Sequence, residues 1–482
     1  PKLKKAFLFY PPGPQYQRGE DRSQGNIDTS TSTSMRAPND MGYVSAQLKS
    51  EGIDTFFKDY ASENINYNQF IEDFKNYNPN LVLSSTTTST VYNDLKVINK
   101  LKEINPNAIY ILKAALFYNA PLDLLKGMDL SSVDYLIGGE IEFAVQPIVN
   151  KINNKNNYFK DIPGIYFKEG EKWVMTEFNN WNKEIDELPN PDRSIINNKL
   201  YVRPDTGESQ ATIATSRGCP AACIYCLTPS ISGKITRFRS PDSVLGEMIE
   251  CYDKFNIRNF FFKSDTFTID KKWVREVCDL IIKSKLHKKI EWVANSRVKP
   301  LEQETLHIMK EAGCWLVAFG FESGSEETLK KIKKGANVEN NLLAAEFTKK
   351  AGLKLYGFYL IGLPWEDFTH LKMTKNHIFE TNPDFLELHI AVPYYGTELY
   401  DMAKKEGLIK TPVLGQNYFE EATTGTHYLT SSELISFRRK VIAQYHFRPR
   451  YIFNKMTEKN LTFAKFVNYS KYGFKLIRNL TK

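Results

Sequence analysis

The sequence has no apolar run of the roughly 20 residues needed to cross a bilayer, which excludes an integral membrane protein. It has only six cysteines, none before Cys219, and seven histidines, none before His287. The formal net charge of +8 is concentrated in the tail that starts at Ser431, which contains 12 Lys and Arg and two Glu. The rest of the chain therefore carries a net charge of −2. Most of the chain therefore lacks the basic excess of a nucleic-acid-binding protein.

Length and composition favour an enzyme of several domains. A chain of 482 residues with 42% hydrophobic and 13% aromatic residues is long enough to form two or three cores. We expect no secretory signal. The clustered thiols described next would be reduced, so we predict a cytoplasmic protein.

Three of the cysteines lie within eight residues, as Cys219, Cys223 and Cys226. Thiolates this close on a loop suit an iron–sulfur cluster, and three ligands leave one iron of a four-iron cluster open. A zinc site normally uses four ligands, and the nearest further candidates, Cys251 and His287, lie well downstream. Three clustered thiols cannot pair completely as disulfides. The motif therefore predicts a [4Fe-4S] cluster.

The first 153 residues alternate short apolar runs with helical patterns, which predicts a doubly wound parallel sheet. The strands are expected over 6–10, 53–58, 81–85, 108–112 and 133–137, and the helices over 41–50, 67–77, 91–104, 121–125 and 140–152. Ligands of such sheets bind beyond the carboxyl ends of the strands. The candidate contacts there are Pro12, Ser84, Ser85, Thr86, Ala115, Gly138, Gly139 and Glu140. Small residues at strand ends also suit a sheet without a ligand.

Residues 154–207 are predicted to link this domain to a second one. Two short apolar runs, 164–168 and 172–175, flank Glu169-Gly170-Glu171 and predict a hairpin, which a proline-rich connector follows. Over 208–400 six strands are expected, at 211–215, 259–263, 290–294, 315–320, 354–360 and 385–390. Six repeats are fewer than a complete eight-stranded barrel needs. Residues 401–482 are predicted to form a basic helical region.

The spacing C-x3-C-x2-C, with Tyr225 just before the last cysteine, resembles the signature of radical S-adenosylmethionine (SAM) enzymes. Because a sheet domain precedes the motif, the chain resembles the cobalamin-dependent members of that family. The resemblance implies a partial (β/α)6 barrel, a [4Fe-4S] cluster whose open iron is chelated by SAM, and cobalamin on the first domain. It departs from the D-x-H-x-x-G pattern of other cobalamin domains, since no histidine lies there to bind cobalt.

The same resemblance implies which residues lie near SAM. They end successive strands of the predicted barrel: Tyr225, Ser264, Asp265, Arg297, Glu322, Ser323 and Gly362. Asp265 and Glu322 are equally interpretable as helix caps or loop supports. Tyr394 and Tyr395 are candidate catalytic or substrate-facing rings, although a tyrosine pair at a barrel mouth is often packing.

The function that the resemblance implies is a C-methyltransferase for an unactivated carbon, using a 5'-deoxyadenosyl radical and methylcobalamin. The alternatives are a radical SAM cyclase or rearrangement enzyme and, in another class, a corrinoid-binding sensor. A methylthiotransferase is disfavoured because that class brings further cysteines ahead of the motif. A flavodoxin or ferredoxin is the expected electron donor, and the substrate is a small or lipid-linked molecule.

The tail from Ser431 mixes its basic residues with aromatic ones. This composition suits peripheral contact with an anionic membrane, and it equally suits a helical cap on the barrel with a solvated basic face. The long segment 11–38 is interpreted either as a cover for the ligands or as a mobile polar loop.

Overall fold

The structure is a computed structural model that describes residues 2–18, 25–30, 34–118, 120–178 and 184–481. Parts of the predicted loop 11–38, including residues 31–33, lie outside these ranges. The described residues form two large sheets, one of seven strands and one of six.

The described residues of the first domain form a seven-stranded sheet. The strands are β1 (Lys5–Tyr10), β2 (Asp54–Asp59), β3 (Leu81–Ser85), β4 (Ile109–Lys113), β5 (Tyr135–Ile137), β6 (Ile165–Glu169) and β7 (Lys172–Met175). They lie in the order β2-β1-β3-β4-β5-β6-β7, and β1 to β5 are parallel. The reversal of order beside β1 is the point at which such sheets bind ligands.

Five helices cover the first sheet: α1 (Asn39–Ser50), α2 (Tyr67–Tyr77), α3 (Val91–Ile104), α4 (Leu122–Lys126) and α5 (Val145–Asn153). In α2 the Asn66 side chain accepts a hydrogen bond from the Gln69 N–H and begins the helix. Phe70 and Phe74, four residues apart, are both buried against Phe7 of β1. The predicted doubly wound parallel sheet is confirmed.

The predicted hairpin is β6 and β7, and it belongs to the first sheet. Strand β6 runs antiparallel to β5, pairing Phe167 with Tyr135 and Ile165 with Ile137. The two antiparallel strands therefore extend a parallel sheet at one edge, so this part of the linker packs as a continuation of the first domain.

The second domain contains a six-stranded parallel sheet in the order β15-β14-β13-β12-β11-β8. Its strands are β8 (Gln210–Ala214), β11 (Asn259–Lys263), β12 (Glu291–Ser296), β13 (Cys314–Glu322), β14 (Lys354–Ile361) and β15 (Phe385–Ile390), and a small antiparallel pair consists of β9 (Ser216–Arg217) and β10 (Arg237–Phe238). Its helices are α6 (Thr228–Ile231), α7 (Pro241–Phe255), α8 (Lys271–Lys283), α9 (Gln303–Glu311), α10 (Glu326–Lys331), α11 (Val338–Lys350) and α12 (Phe368–Thr381). Each of the six predicted strands is present, and the sheet is open between β15 and β8.

The remaining helices are α13 (Glu398–Lys405), α14 (Ser431–His446), α15 (Pro449–Met456) and α16 (Phe463–Thr481). Helix α16 lies across the opening of the barrel. Asn468 donates to the Asp205 carbonyl near β8, Lys475 donates to the Ile27 carbonyl, and Leu476 is buried in the barrel core. Across the described ranges, no helix is both long enough and apolar enough to span a membrane.

Candidate active site

The cysteine loop runs from β9 to α6 at the carboxyl end of the barrel. Gly218 begins it with φ of +88°, and a Cβ there would lie 2.3 Å from the Ile235 carbonyl oxygen. The Gly218 N–H donates to the Asp265 carboxylate at 3.0 Å. The turn therefore requires glycine. Asp265 supports the loop, which is one of the roles that the sequence allows for it.

Cys219, Cys223 and Cys226 form no disulfide with one another and line one cavity of about 680 Å³. Burial raises the pKa of the Cys219 thiol. Within the described part of the chain, no set of three His, Cys, Asp or Glu side chains is arranged to hold a single metal ion. An iron–sulfur cluster asks for separated thiolates, since each binds a different iron. Three cysteines around one cavity fit such a cluster.

Glu322 ends β13 in the left-handed region, with φ of 63°. Its carboxylate forms an ion pair with Lys334 at 2.7 Å, and Lys334 Nζ lies 3.4 Å from the Tyr225 hydroxyl. Gly320 leaves room for this pair, because a Cβ there would lie 2.4 Å from Glu322 Oε1. Burial raises the pKa of Tyr225 well above its usual value. The pair and the ring form one wall of the cavity beside the cysteines.

Arg297 lies against the cysteine loop. One guanidinium nitrogen is 3.8 Å from Cys223 Sγ, and another donates to the Lys334 carbonyl. The cation therefore faces a predicted cluster ligand, where it would stabilise negative charge on the thiolate and on the sulfides of the cluster.

Four of the predicted SAM and substrate residues lie outside the cavity lining: Ser264, Ser323, Gly362 and Tyr395. The Ser264 hydroxyl forms a hydrogen bond with the Ser216 hydroxyl, and the Ser323 hydroxyl forms one with the Thr374 hydroxyl. Gly362 donates its N–H to buried Glu366, and the Tyr395 ring packs at a tilt against Tyr400, with ring centres 4.4 Å apart. These residues support the site from behind in this structure.

Tyr394 does line the cavity, and it is buried edge-to-face against Tyr418 at 5.7 Å. Sequence reasoning missed two neighbours of the site, Lys334 and Arg36. Lys334 has no motif of its own. Arg36 comes from the long segment 11–38 and stacks on Phe261 at 4.0 Å, so part of that segment covers the cavity.

The candidate cobalamin residues at the carboxyl end of β3 and just after it are held by the domain's own hydrogen bonds. Ser84 donates to the Phe9 carbonyl, Ser85 to Asp40, and Thr86 to Asp94, which also pairs with buried Arg18. Their side chains are therefore committed to fixing the loops at this edge of the sheet.

The glycine loop after β5 is packed in the same way. A Cβ on Gly138 would lie 2.3 Å from the Phe117 carbonyl oxygen, and one on Gly139 would approach Gly164. Ala115 and Pro12 are half-buried at neighbouring strand ends. These small residues let chain segments of the domain approach one another closely.

Ion pairs join the first sheet to the cysteine loop. Arg237 of β10 binds Glu140 at 2.6 Å, and Arg217 of β9 binds Glu142 at 2.7 Å. Burial alone would raise the pKa of Glu142, but the Arg217 guanidinium holds it below its usual value. The carboxyl ends of the two sheets therefore face each other.

Residues 409–421 lie over the carboxyl edge of the first sheet. Leu414 is buried in the core of the first domain, and Gly415 donates its N–H to the Thr88 carbonyl. A corrin ring against the backbone after β3 does not fit beside this cover. It would have to displace Leu414 and Gly415.

A loop with three cysteines at the carboxyl end of an open parallel barrel is the arrangement expected of an iron–sulfur enzyme of the barrel class. Residues 213–374 match the family described as the Radical SAM superfamily. The predicted resemblance to radical SAM enzymes is confirmed over this segment of the chain.

Two curated relatives extend the match beyond the barrel. The chain is 27% identical to an uncharacterized methyltransferase of Pyrococcus horikoshii over 87% of this chain and 90% of that one. It is 24% identical to the anaerobic magnesium-protoporphyrin IX monomethyl ester cyclase of Cereibacter sphaeroides over 75% of this chain and 59% of that one.

A solved structure has the same two-domain fold. It is the cobalamin-dependent S-adenosylmethionine radical enzyme OxsB with aqua-cobalamin and S-adenosylmethionine bound, at a TM-score of 0.72 and 16% identity. The match covers 99% of this chain and 72% of that one. At this identity it shows the fold, and the predicted arrangement of a Rossmann-like domain before a partial barrel is confirmed.

Proposed function

We propose that the protein is a cobalamin-dependent radical SAM enzyme that methylates an unactivated carbon. The observation that carries the proposal is the convergence of Cys219, Cys223 and Cys226 on one large cavity. Relatives that are methyltransferases by name support the type of reaction. When bound, the cluster with SAM supplies a radical that removes hydrogen, and cobalamin supplies the methyl group.

The chain's own residues bind and orient the reactants. The Glu322–Lys334 pair and Asp265 present charged groups to the amino and carboxylate groups of SAM, and Arg297 offsets negative charge at the cysteine loop. Tyr394 closes the cavity beside the loop and excludes water.

Cobalamin is proposed to lie at the carboxyl edge of the first sheet, supported by the cofactor in the OxsB structure and by the facing of the two sheets. Residues 409–421 would then act as a movable cover. A flavodoxin or ferredoxin is the proposed electron donor.

The experiment is anaerobic reconstitution with iron, sulfide, hydroxocobalamin and SAM, followed by dithionite and mass spectrometry. S-adenosylhomocysteine together with 5'-deoxyadenosine supports methyl transfer. 5'-Deoxyadenosine alone supports the second candidate, a radical SAM cyclase, which the magnesium-protoporphyrin cyclase relative favours. Neither product from a cluster-loaded protein would contradict both.

The proposal includes peripheral contact with an anionic membrane through α16. At about 3.6 residues per turn, Phe463, Phe466, Phe474 and Ile477 share one helix face, and the first and third are 82% and 74% exposed. Exposed Lys471 and Arg478 lie beside this face. An exposed apolar face with flanking basic residues is typical of a helix in the plane of a membrane surface.

Sedimentation with vesicles tests this contact. We expect binding to vesicles of phosphatidylserine and phosphatidylcholine at low salt and weaker binding to phosphatidylcholine alone. Phe463→Ser with Phe474→Ser should abolish it, whereas Tyr158→Ser, at another exposed ring, should not. Equal sedimentation with both vesicle types would contradict membrane contact.

A further inference from the structure

The cavity runs along the whole inside of the barrel. Residues of β13 line it from near the start of the strand to its carboxyl end: Trp315, Leu316, Ala318, Gly320 and Glu322. At a rise of about 3.3 Å per residue, this corresponds to a length of roughly 23 Å. Complete barrels fill this space with layers of side chains, so the open interior sets this barrel apart.

The far half of the cavity is walled by aromatic rings. Phe385 and Tyr356 come from neighbouring strands and stack at 5.9 Å. Tyr451, Tyr469 and Tyr472 come from α15 and α16, which close the opening between β15 and β8. This part of the cavity is distant from the cysteine loop and suits an elongated apolar group.

Two buried nitrogen donors lie at this end without a hydrogen-bond partner. They are Lys455 Nζ and Trp315 Nε1, and both residues line the cavity. Lys455 Nζ lies 3.9 Å from the Phe385 ring centre, and the Trp315 ring packs edge-to-face on the same ring at 6.4 Å. Both side chains therefore pack against one phenyl group.

A buried donor without a partner is costly, above all when it is charged. Burial lowers the pKa of Lys455. Lys455 forms an ion pair with Glu458 at 3.5 Å and also feels the charge of Asp384. The Glu458 carboxylate is shared with Lys354 at 3.1 Å and the Tyr469 hydroxyl at 3.1 Å. Lys455 thus keeps the capacity to bind a further anion.

The acidic residues that line the cavity have partners of their own. Asp205 binds Arg203, and Glu387 binds His389 at 2.9 Å. Arg203 in turn stacks on Trp315 at 3.8 Å, and its charge is offset by Asp205 and Glu291. The acids at this end are therefore neutralised by their own partners and do not repel an anionic ligand.

We propose that the substrate is an elongated amphiphile, with an apolar body along the barrel interior and an anionic terminus, carboxylate or phosphate, bound by Lys455 and Trp315. The inference rests on the proposed function, because the opposite end of such a substrate lies at the cysteine loop. It names a class of substrate that the relatives' names do not supply.

Binding to the full-length protein, without SAM or dithionite, tests the inference. The probes are palmitate, hexadecyl phosphate and hexadecanol, which share an apolar chain and differ at the terminus. Calorimetry measures the binding of each. We expect both anions to bind at least about tenfold more tightly than the alcohol, because a charged hydrogen bond is lost with it. Tighter binding of palmitate than of the phosphate would identify a carboxylate substrate, and the reverse order a phosphate.

Lys455→Met keeps the apolar stem of the side chain and removes its ammonium group. It should remove the preference for anions without weakening the binding of hexadecanol. Lys459→Met, at an exposed position of the same region, is the matched control and should change nothing. An unchanged anion preference in Lys455→Met, or equal binding of all three probes by the unsubstituted protein, would overturn the inference. Because no turnover is measured, failure of methyl transfer leaves this result unaffected.

Discussion

Glu322 and Lys334 are joined by a 2.7 Å ion pair whose side chains are only 12% and 7% exposed. The pair lies over Gly320 and beside Tyr225, at the end of β13 and next to the cysteine loop. The sequence motif identifies Glu322, whereas it does not identify Lys334.

Breaking this pair from one side should destabilise the protein. Lys334→Met leaves a buried carboxylate without its partner, a change that costs on the order of 3 kcal/mol. The double variant Glu322→Gln with Lys334→Met should recover much of that loss. Chemical denaturation of Lys334→Met, Glu322→Gln and the double variant measures it, and additive losses would show that the two groups act independently.

Replacing one predicted cluster ligand should remove the cluster. Anaerobically reconstituted protein should contain about four irons, and Cys223→Ala should lose most of them and the associated charge-transfer absorption. Cys251→Ala is the matched control, because Cys251 is a buried free thiol in the barrel core. Full iron content in Cys223→Ala would contradict the ligand assignment.

Glu366 should make stability depend on pH. Its carboxyl group is buried between the N–H groups of Gly362 and Leu363, and burial raises its pKa to about 7. A raised acid pKa means that the unfolded chain ionises first, so stability is full below about pH 4.5 and falls as pH rises to about 7.

Glu366→Gln should remove that fall while keeping the hydrogen-bond acceptor. Relative to the unsubstituted protein it should gain on the order of 3 kcal/mol between pH 5 and 8, measured by denaturation at each pH. Glu339→Gln, at an exposed position, is the control. Parallel pH profiles for Glu366→Gln and the unsubstituted protein would disprove the assignment.

Binding of hydroxocobalamin should loosen residues 409–421. Since Leu414 and Gly415 cover the edge after β3, a corrin there requires them to move. We expect the corrinoid to remain with the protein through gel filtration and amide exchange to rise in 409–421 but not in β11. Retention with unchanged exchange in 409–421 would place the corrin elsewhere.

The sequence predicts most strands because each is a short apolar run bounded by turn residues. The six barrel strands differ from their predicted bounds by at most two residues at either end. The helix expected over 140–152 begins only at Val145, after a 3-10 turn. Pro147 is the reason, since proline fits only the first turn of a helix.

The site was less predictable than the fold because a motif gives the strand end and not the direction of each side chain. Glu322 faces the cavity while the next residue, Ser323, faces α12, as alternation along a chain requires. Lys334, Trp315 and Lys455 reach the cavity through contacts distant in sequence. Local patterns carry no signal for such contacts.

The position of α16 gives the barrel a defined order of assembly. Its bonds to Asp205 and Ile27 join elements separated by some 260 and 450 positions along the chain. Contacts of such separation form late, because loop closure must precede them. The barrel would therefore be open along one side until α16 docks, and the proposed cluster would have a lateral path of entry during that interval.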